Sequence, residues 1–177
     1  MDHESGTAIL SDEDRRRLGL WTADCAERAL PLFEVHAPTD PRPREAVEAA
    51  RAFARGGRRT AQLRSAASAA YAAAREVGDP GAAAAARATG LAAATAFIHA
   101  AVSKDQEKHA LGPAVYAARA RELAASDDHL TGDEEIRWAI EHAPPAVRDI
   151  LRRLPARSGG RSRLEALYYR LDAALRL

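Results

Sequence analysis

The chain has 177 residues, 26 basic and 25 acidic, for a net charge of +1. That balance argues against a dedicated nucleic-acid-binding domain, which is normally strongly basic. Hydrophobic residues make up 47% and aromatics only 5%. Alanine alone supplies roughly a quarter of the chain, far above ordinary usage, so close helix contacts rather than large side chains must fill much of the interior. Lys104 and Lys108 are the only lysines, and the abundance of arginine and alanine reads as a GC-rich coding bias. A single cysteine, Cys25, excludes an internal disulfide and fits a reducing compartment. No apolar run reaches the ~20 residues needed to span a bilayer, and residues 1–10 lack the pattern of a signal peptide. A soluble cytoplasmic protein without a membrane partner is expected.

Residues 1–10 carry no periodicity and read as a disordered tail. Ser11 is a helix cap with Asp12, Glu13 and Asp14 in the first turn. Leu18, Trp21, Cys25 and Leu32 follow at helical spacing, and Pro31 is expected to kink or break this helix. Asp40 then caps a second helix with Pro41 at its first position, ended by Gly56-Gly57. Thr60 opens a third, bearing Leu63, Ala67, Ala70, Tyr71, Ala74 and Val77 on one side. Gly78 closes it, and Asp79-Pro80 starts an alanine-rich fourth helix expected to run through Gly90 to Ala101, with Leu91, Thr95, Ile98 and Val102 along one face. Ser103–Lys108 breaks the apolar pattern. A further helix spans about Ala110 to Ala125, its start blurred by Gly112-Pro113, and shorter ones lie near Asp133–Ala143 and Pro145–Leu154.

Ser158-Gly159-Gly160 reads as a flexible joint. Beyond it, Leu164, Leu167, Tyr168, Leu171 and Leu175 mark an amphipathic helix. This helix docks on the body by default; pairing with its copy in a homodimer, or engaging a partner, are the alternatives. The Ala-Ala-Arg triplets at 49–51, 73–75, 85–87 and 117–119 have no fixed period. The expected fold is all-α: a compact bundle of about seven to eight helices, stacked as antiparallel hairpins around an alanine-rich core. The expected organisation is a tail over 1–10, a helical domain over 11–157, and the joint plus last helix over 158–177.

Several blocks resemble one bacterial family. They are Leu20-Trp21-Thr22-Ala23-Asp24-Cys25-Ala26-Glu27-Arg28 with Leu30-Pro31-Leu32-Phe33-Glu34, and Asp40-Pro41-Arg42-Pro43-Arg44-Glu45-Ala46-Val47-Glu48-Ala49-Ala50-Arg51. Then come the alanine-rich helix from Ala82, His109-Ala110-Leu111-Gly112 leading into Val115–Ala120, Arg137-Trp138-Ala139-Ile140, and Val147–Leu154. In this order and spacing, over roughly residues 14 to 154, the chain resembles bacterial immunity proteins of the immunity protein 5-like domain family. The resemblance implies a small all-helical protein that neutralises a cognate toxin by binding it, with no cofactor and no catalysis of its own. The residues expected to meet the partner are Trp21, Asp24, Arg28, Asp40, Arg42, Arg44 and His109.

Each of these residues also has a structural reading. Asp24 and Arg28 share a helix face at i,i+4 spacing and would pair there, while Trp21 would anchor the core. Arg42 or Arg44 would clamp Asp24 or Glu27 and order the loop. His99 and His109, with Asp105 and Glu107 between them, resemble loosely assembled metal ligands at a spacing that matches no zinc signature, so no metal is expected. Arg55, Arg58, Arg59 and Arg64 around Gly56-Gly57 read as a solvated basic turn. Cys25 lies on the apolar side of its helix, where thiols are inert fillers. No phosphate loop, serine elbow or zinc-protease element occurs, which excludes ATP binding of the P-loop kind. A ligand-binding or regulatory helical domain, and a metal-dependent enzyme built on the His99–His109 region, are the alternative functional classes.

Overall fold

The computed structural model describes residues 10–98 and 106–177. Among the described residues there are eight α-helices and no strand: α1 Asp12–His36, α2 Arg42–Ala54, α3 Ala61–Glu76, α4 Pro80–Ala94, α5 Gln106–Ala124, α6 His129–Glu141, α7 Pro145–Arg153 and α8 Arg163–Leu175. A 3-10 turn, Thr95–Phe97, follows α4. The all-α bundle expected from the sequence is the fold observed.

Helix starts follow local chemistry. Ser11 accepts the Asp14 backbone N–H while the Asp14 carboxylate accepts from the Ser11 N–H, a reciprocal capping box. Thr60, Asp79 and Ser162 cap α3, α4 and α8 one way only, each side chain accepting the N–H three residues on. Asp40 differs from expectation: α2 begins at Arg42, and Asp40 instead accepts both the backbone N–H and the guanidinium of Arg42.

The centre of the bundle is α4, which packs against α1, α2, α3 and α5. Its alanines at 82, 85, 86, 88, 92 and 93 are all buried. A helix with almost no side-chain bulk can be surrounded on every side only at short interaxial distance. Gly90 carries this furthest, because a Cβ there would lie 2.7 Å from the Tyr71 ring. A second region of the core is built from large side chains. Leu18 and Trp21 of α1 meet Leu111 of α5, Ile136 of α6, Ile150 and Leu151 of α7, and Leu167, Leu171 and Leu175 of α8. Alanine thus dominates the interior around α4, whereas here it sits among large side chains.

Four expectations about element bounds are corrected. First, α1 continues through Pro31. The proline removes one donor, but both it and Glu27, whose carbonyl loses that donor, lie exposed, so water can complete the bonding. Second, α4 ends at Ala94 rather than near Ala101. Thr95 bonds back to the Leu91 carbonyl, and the Ile98 carbonyl is taken by the buried Arg15 guanidinium at 2.8 Å. Val102 and Ala101 lie outside the described residues.

Third, α5 is already helical at Gln106, the first described residue after 98, and passes through Gly112-Pro113. Gly112 is a packing residue, since a Cβ there would lie 2.8 Å from Leu91 and 3.2 Å from the Tyr168 hydroxyl. Fourth, Leu10, assigned to the tail, is buried in the large-side-chain core; residues 1–9 lie outside the described residues. The last helix docks on α5, α6 and α7. This is the docking expected by default, and it buries the stripe of Leu167, Leu171 and Leu175 within one chain.

Arginines stitch the helices together around buried acids. Glu135 of α6 receives Arg28 of α1 and Arg121 of α5. Glu122 of α5, fully buried, receives Arg119 of α5 and Arg163 of α8. Burying a carboxylate is costly unless it is paired and hydrogen-bonded, and both acids are held by two guanidinium groups.

Candidate partner-binding face

The aromatic ring of Trp138 on α6 lies half-exposed beside the C-terminal half of α1. His142, one helical turn on, stacks against it with ring centroids 4.0 Å apart and planes 15° from parallel. Its Nδ1 lies 2.8 Å from the Trp138 carbonyl, to which it donates. The Arg28 guanidinium lies over the Trp138 ring, 4.0 Å from the centroid, a cation–π contact worth about 0.5–2 kcal/mol depending on desolvation. Arg28 is itself fixed by two bonds to Glu135, at 2.5 and 3.1 Å, and Arg121 reaches the same carboxylate at 3.1 Å. The tryptophan, the histidine and the arginine are thus held in one arrangement.

Two adjoining depressions of about 360 and 340 Å³ flank Trp138, and Arg28 and Trp138 line both. The first is rimmed by Glu134, Arg137 and Glu141, the second by Asp24, Glu27 and His142. Arg51 of α2 crosses to Asp24 at 2.7 Å and also bonds Glu27. Glu134 and Glu141 form no ion pair among the described residues. The face therefore has an aromatic and guanidinium centre with exposed carboxylates around it. Beneath it lies Cys25, fully buried. Burial first, then the nearby Glu135 and Asp24 charges, push its thiol well above the ordinary 9.0, so it is inert packing.

The seven residues expected at the interface fall in different places. Asp24 and Arg28 do belong to this face, but they do not pair with each other: tertiary partners, Arg51 and Glu135, hold them instead. Trp21 is buried, and its indole N–H donates to the Ala139 carbonyl at 3.0 Å. It ties α1 to α6 beneath Trp138, so its structural reading is the one realised. Asp40, Arg42 and Arg44 form a separate cluster. Arg42 joins Asp40 to Glu76 of α3, and Arg44 holds Glu34 of α1. Neither clamps Asp24 or Glu27; Arg51 does that. His109 is exposed on α5, in a cleft with Lys108, Glu165 and Tyr168. Trp138 and Arg51 stand in the family-like blocks but not among the residues expected at the interface, and His142 and Glu135 stand in neither. The Trp-x-x-x-His spacing on one helix face was the available signal for Trp138 and His142.

His99 and Asp105 lie outside the described residues, so the metal reading that joined them to His109 does too. Glu107 is buried beside the Arg157 guanidinium. One other group, Glu122, Asp127 and His129, brings three possible ligand atoms within 4.8 Å of one another. Arg119 already bridges its two carboxylates, at 2.8 and 2.5 Å, so a resident guanidinium stands where a cation would. No helix among the described residues is long and apolar enough to cross a membrane.

A family model described as Imm-5 like putative immunity protein matches residues 8–146. The match spans α1 to α6, including every residue of the Trp138 face, and leaves α8 outside. No curated protein and no solved structure matches the chain.

Proposed function

The chain belongs to the Imm-5 like putative immunity protein family, and from that membership we propose that it binds a cognate bacterial toxin through the Trp138 face and blocks it by steric occlusion. It acts in the cytoplasm, as a non-enzymatic inhibitor that needs no cofactor. The observation that carries the choice of face is the Arg28–Trp138 contact: a guanidinium fixed by the buried Glu135 lies on a half-exposed tryptophan. Tryptophan and arginine are the side chains most enriched at energetic hot spots. Anchors already locked in one conformation lose little entropy on binding. An interface of about 1,200–2,000 Å² centred there would take in Asp24, Glu27, Glu134, Glu141 and His142 as its polar rim.

The test is survival of cells expressing the toxin encoded beside this chain, with Trp138→Ala, Glu134→Arg and Arg44→Ala variants checked for native circular dichroism. The first two are expected to abolish protection and co-purification while staying folded, and the third to retain both. Full protection by folded Trp138→Ala and Glu134→Arg proteins would move the interface elsewhere.

A further inference from the structure

A second surface differs from the Trp138 face in both shape and charge. Between α3, α4 and α5 runs a groove of about 530 Å³, within the ~300–1,000 Å³ typical of small-molecule sites. It exists because its floor is alanine. Ala83 and Ala84 of α4 leave a trough between the rings of Tyr71 and Tyr116, and Leu164 of α8 lines it from the far side. The lining holds three arginines, Arg75, Arg87 and Arg119, and no carboxylate.

These arginines are not equivalent. Arg119 is neutralised by Glu122 and Asp127. Arg75 and Arg87 form no hydrogen bond and no ion pair among the described residues, in a protein where most buried acids are doubly clamped. Arg87 lies 5.0 Å from the Tyr116 ring centroid, and its charge also acts on the hydroxyls of Tyr71 and Tyr168. Burial pushes the Tyr71 hydroxyl up to about 12, so it stays a neutral donor at physiological pH. An apolar floor, flanking aromatic rings and two uncompensated guanidinium groups define one complementary shape: a flat apolar body with an anionic group at its edge.

We infer that this groove is a binding site for a small organic anion, an aromatic or similarly apolar body carrying a carboxylate, sulfonate or phosphate, held by Arg87 and Arg75 between Tyr71 and Tyr116. The inference goes beyond toxin binding and does not depend on it. Charge complementarity sets the occupant. Arginine pairs with such oxyanions in bidentate fashion, and the charge assistance roughly doubles the bond strength over a neutral contact.

The test is calorimetric titration of the full chain with naphthalene-2-acetate, its neutral amide, and acetate, repeated on Arg87→Gln. Arg87 is exposed and forms no hydrogen bond or ion pair among the described residues, so the variant is expected to fold with a nearly unchanged thermal midpoint. Saturable binding of the naphthyl acid is expected below about 1 mM, with the amide and the Arg87→Gln variant each about tenfold weaker and acetate inert. Equal binding of acid and amide, an Arg87→Gln protein that binds as tightly as the parent, or no saturable binding would each overturn the inference. So would a polyglutamate peptide binding where the naphthyl acid does not, which would give the groove to a protein segment. Toxin protection by Arg87→Gln is expected to be intact, so the two surfaces can fail separately.

Discussion

The Glu122 carboxylate fills the space that Gly132 leaves open: a Cβ built on Gly132 would come within 2.1 Å of Glu122 Oε1. The glycine is helical and needs no left-handed backbone. Its role is to let α6 approach α5 closely enough for a fully buried carboxylate to sit between them. There Glu122 receives Arg119 from its own helix and Arg163 from α8, and Arg163 continues to Asp133. One missing methyl group therefore underlies the joint of three helices.

Gly132→Ala is expected to destabilise the fold by about 2–4 kcal/mol, through overpacking and displacement of a buried, doubly paired charge. Gly159→Ala is the control. A Cβ there meets only Tyr169, at 4.0 Å, and a change below about 0.5 kcal/mol is expected. Urea denaturation of both variants checks the difference.

Trp21→Phe keeps most of the apolar volume and removes the indole donor to Ala139. A loss of about 1–2 kcal/mol is expected, against about 3–5 kcal/mol for Trp21→Ala, which also leaves a cavity. Neither should impair protection beyond the fraction unfolded, which separates Trp21 from Trp138. Chemical denaturation alongside the survival assay measures both effects.

Acid should unfold the protein through a small set of paired carboxylates. In Asp14, burial would raise the pKa, but hydrogen bonds from Ser11 and Arg153 outweigh it and hold the group below the ordinary 3.8. In Asp133, burial is likewise outweighed by Arg163 and Arg170, and Arg44 holds Glu34 below 4.5. A depressed folded pKa means stabilisation that is complete above the unfolded value and lost as pH falls through the folded one. A flat denaturation midpoint above about pH 5.5 and a decline below about pH 4 are expected. Asp133→Asn should be less stable than the parent at neutral pH, and the gap should close at strongly acid pH. High salt should flatten the part due to the more exposed pairs.

The Cys25 thiol is fully buried and pushed well above 9.0. It should resist a disulfide reagent at pH 8 in the native protein and react at one equivalent once denaturant unfolds the chain. Rapid native labelling would mean that the α1–α6 contact opens readily.

Removal of residues 158–177 would strip Leu167, Leu171 and Leu175 from the core and take Arg163 away from Glu122. The shortened chain is expected to lose cooperative unfolding and to expose apolar surface, as read by near-ultraviolet circular dichroism and dye binding. The family match ends at residue 146, yet α8 is packed into the same core as α1.

Most helices could be placed from the sequence because starting a helix is a local event. Ser11, Thr60 and Asp79 act within three residues of themselves, and alanine favours the helix wherever it stands. Helix ends were less legible. Pro31 carries a breaking tendency that solvent at Glu27 absorbs, Pro113 sits inside α5 nonetheless, and beyond the 3-10 turn that follows α4 a distant arginine, Arg15, captures the Ile98 carbonyl.

For the candidate face, the chain order placed Asp24 and Arg28 on one side of α1 but could not assign their partners. With 26 basic and 25 acidic residues, almost every charge has several plausible mates along the chain. Helical spacing offered Arg28 to Asp24, yet packing delivered it to Glu135, 107 residues away, and laid it over Trp138. Composition and capping fixed the class of fold because they act through short-range backbone and side-chain preferences. Tertiary packing alone decided which tryptophan is core and which is surface, which arginines are neutralised and which are left free in the α3–α5 groove. Burial and ion pairing depend on distances between segments that no local pattern encodes.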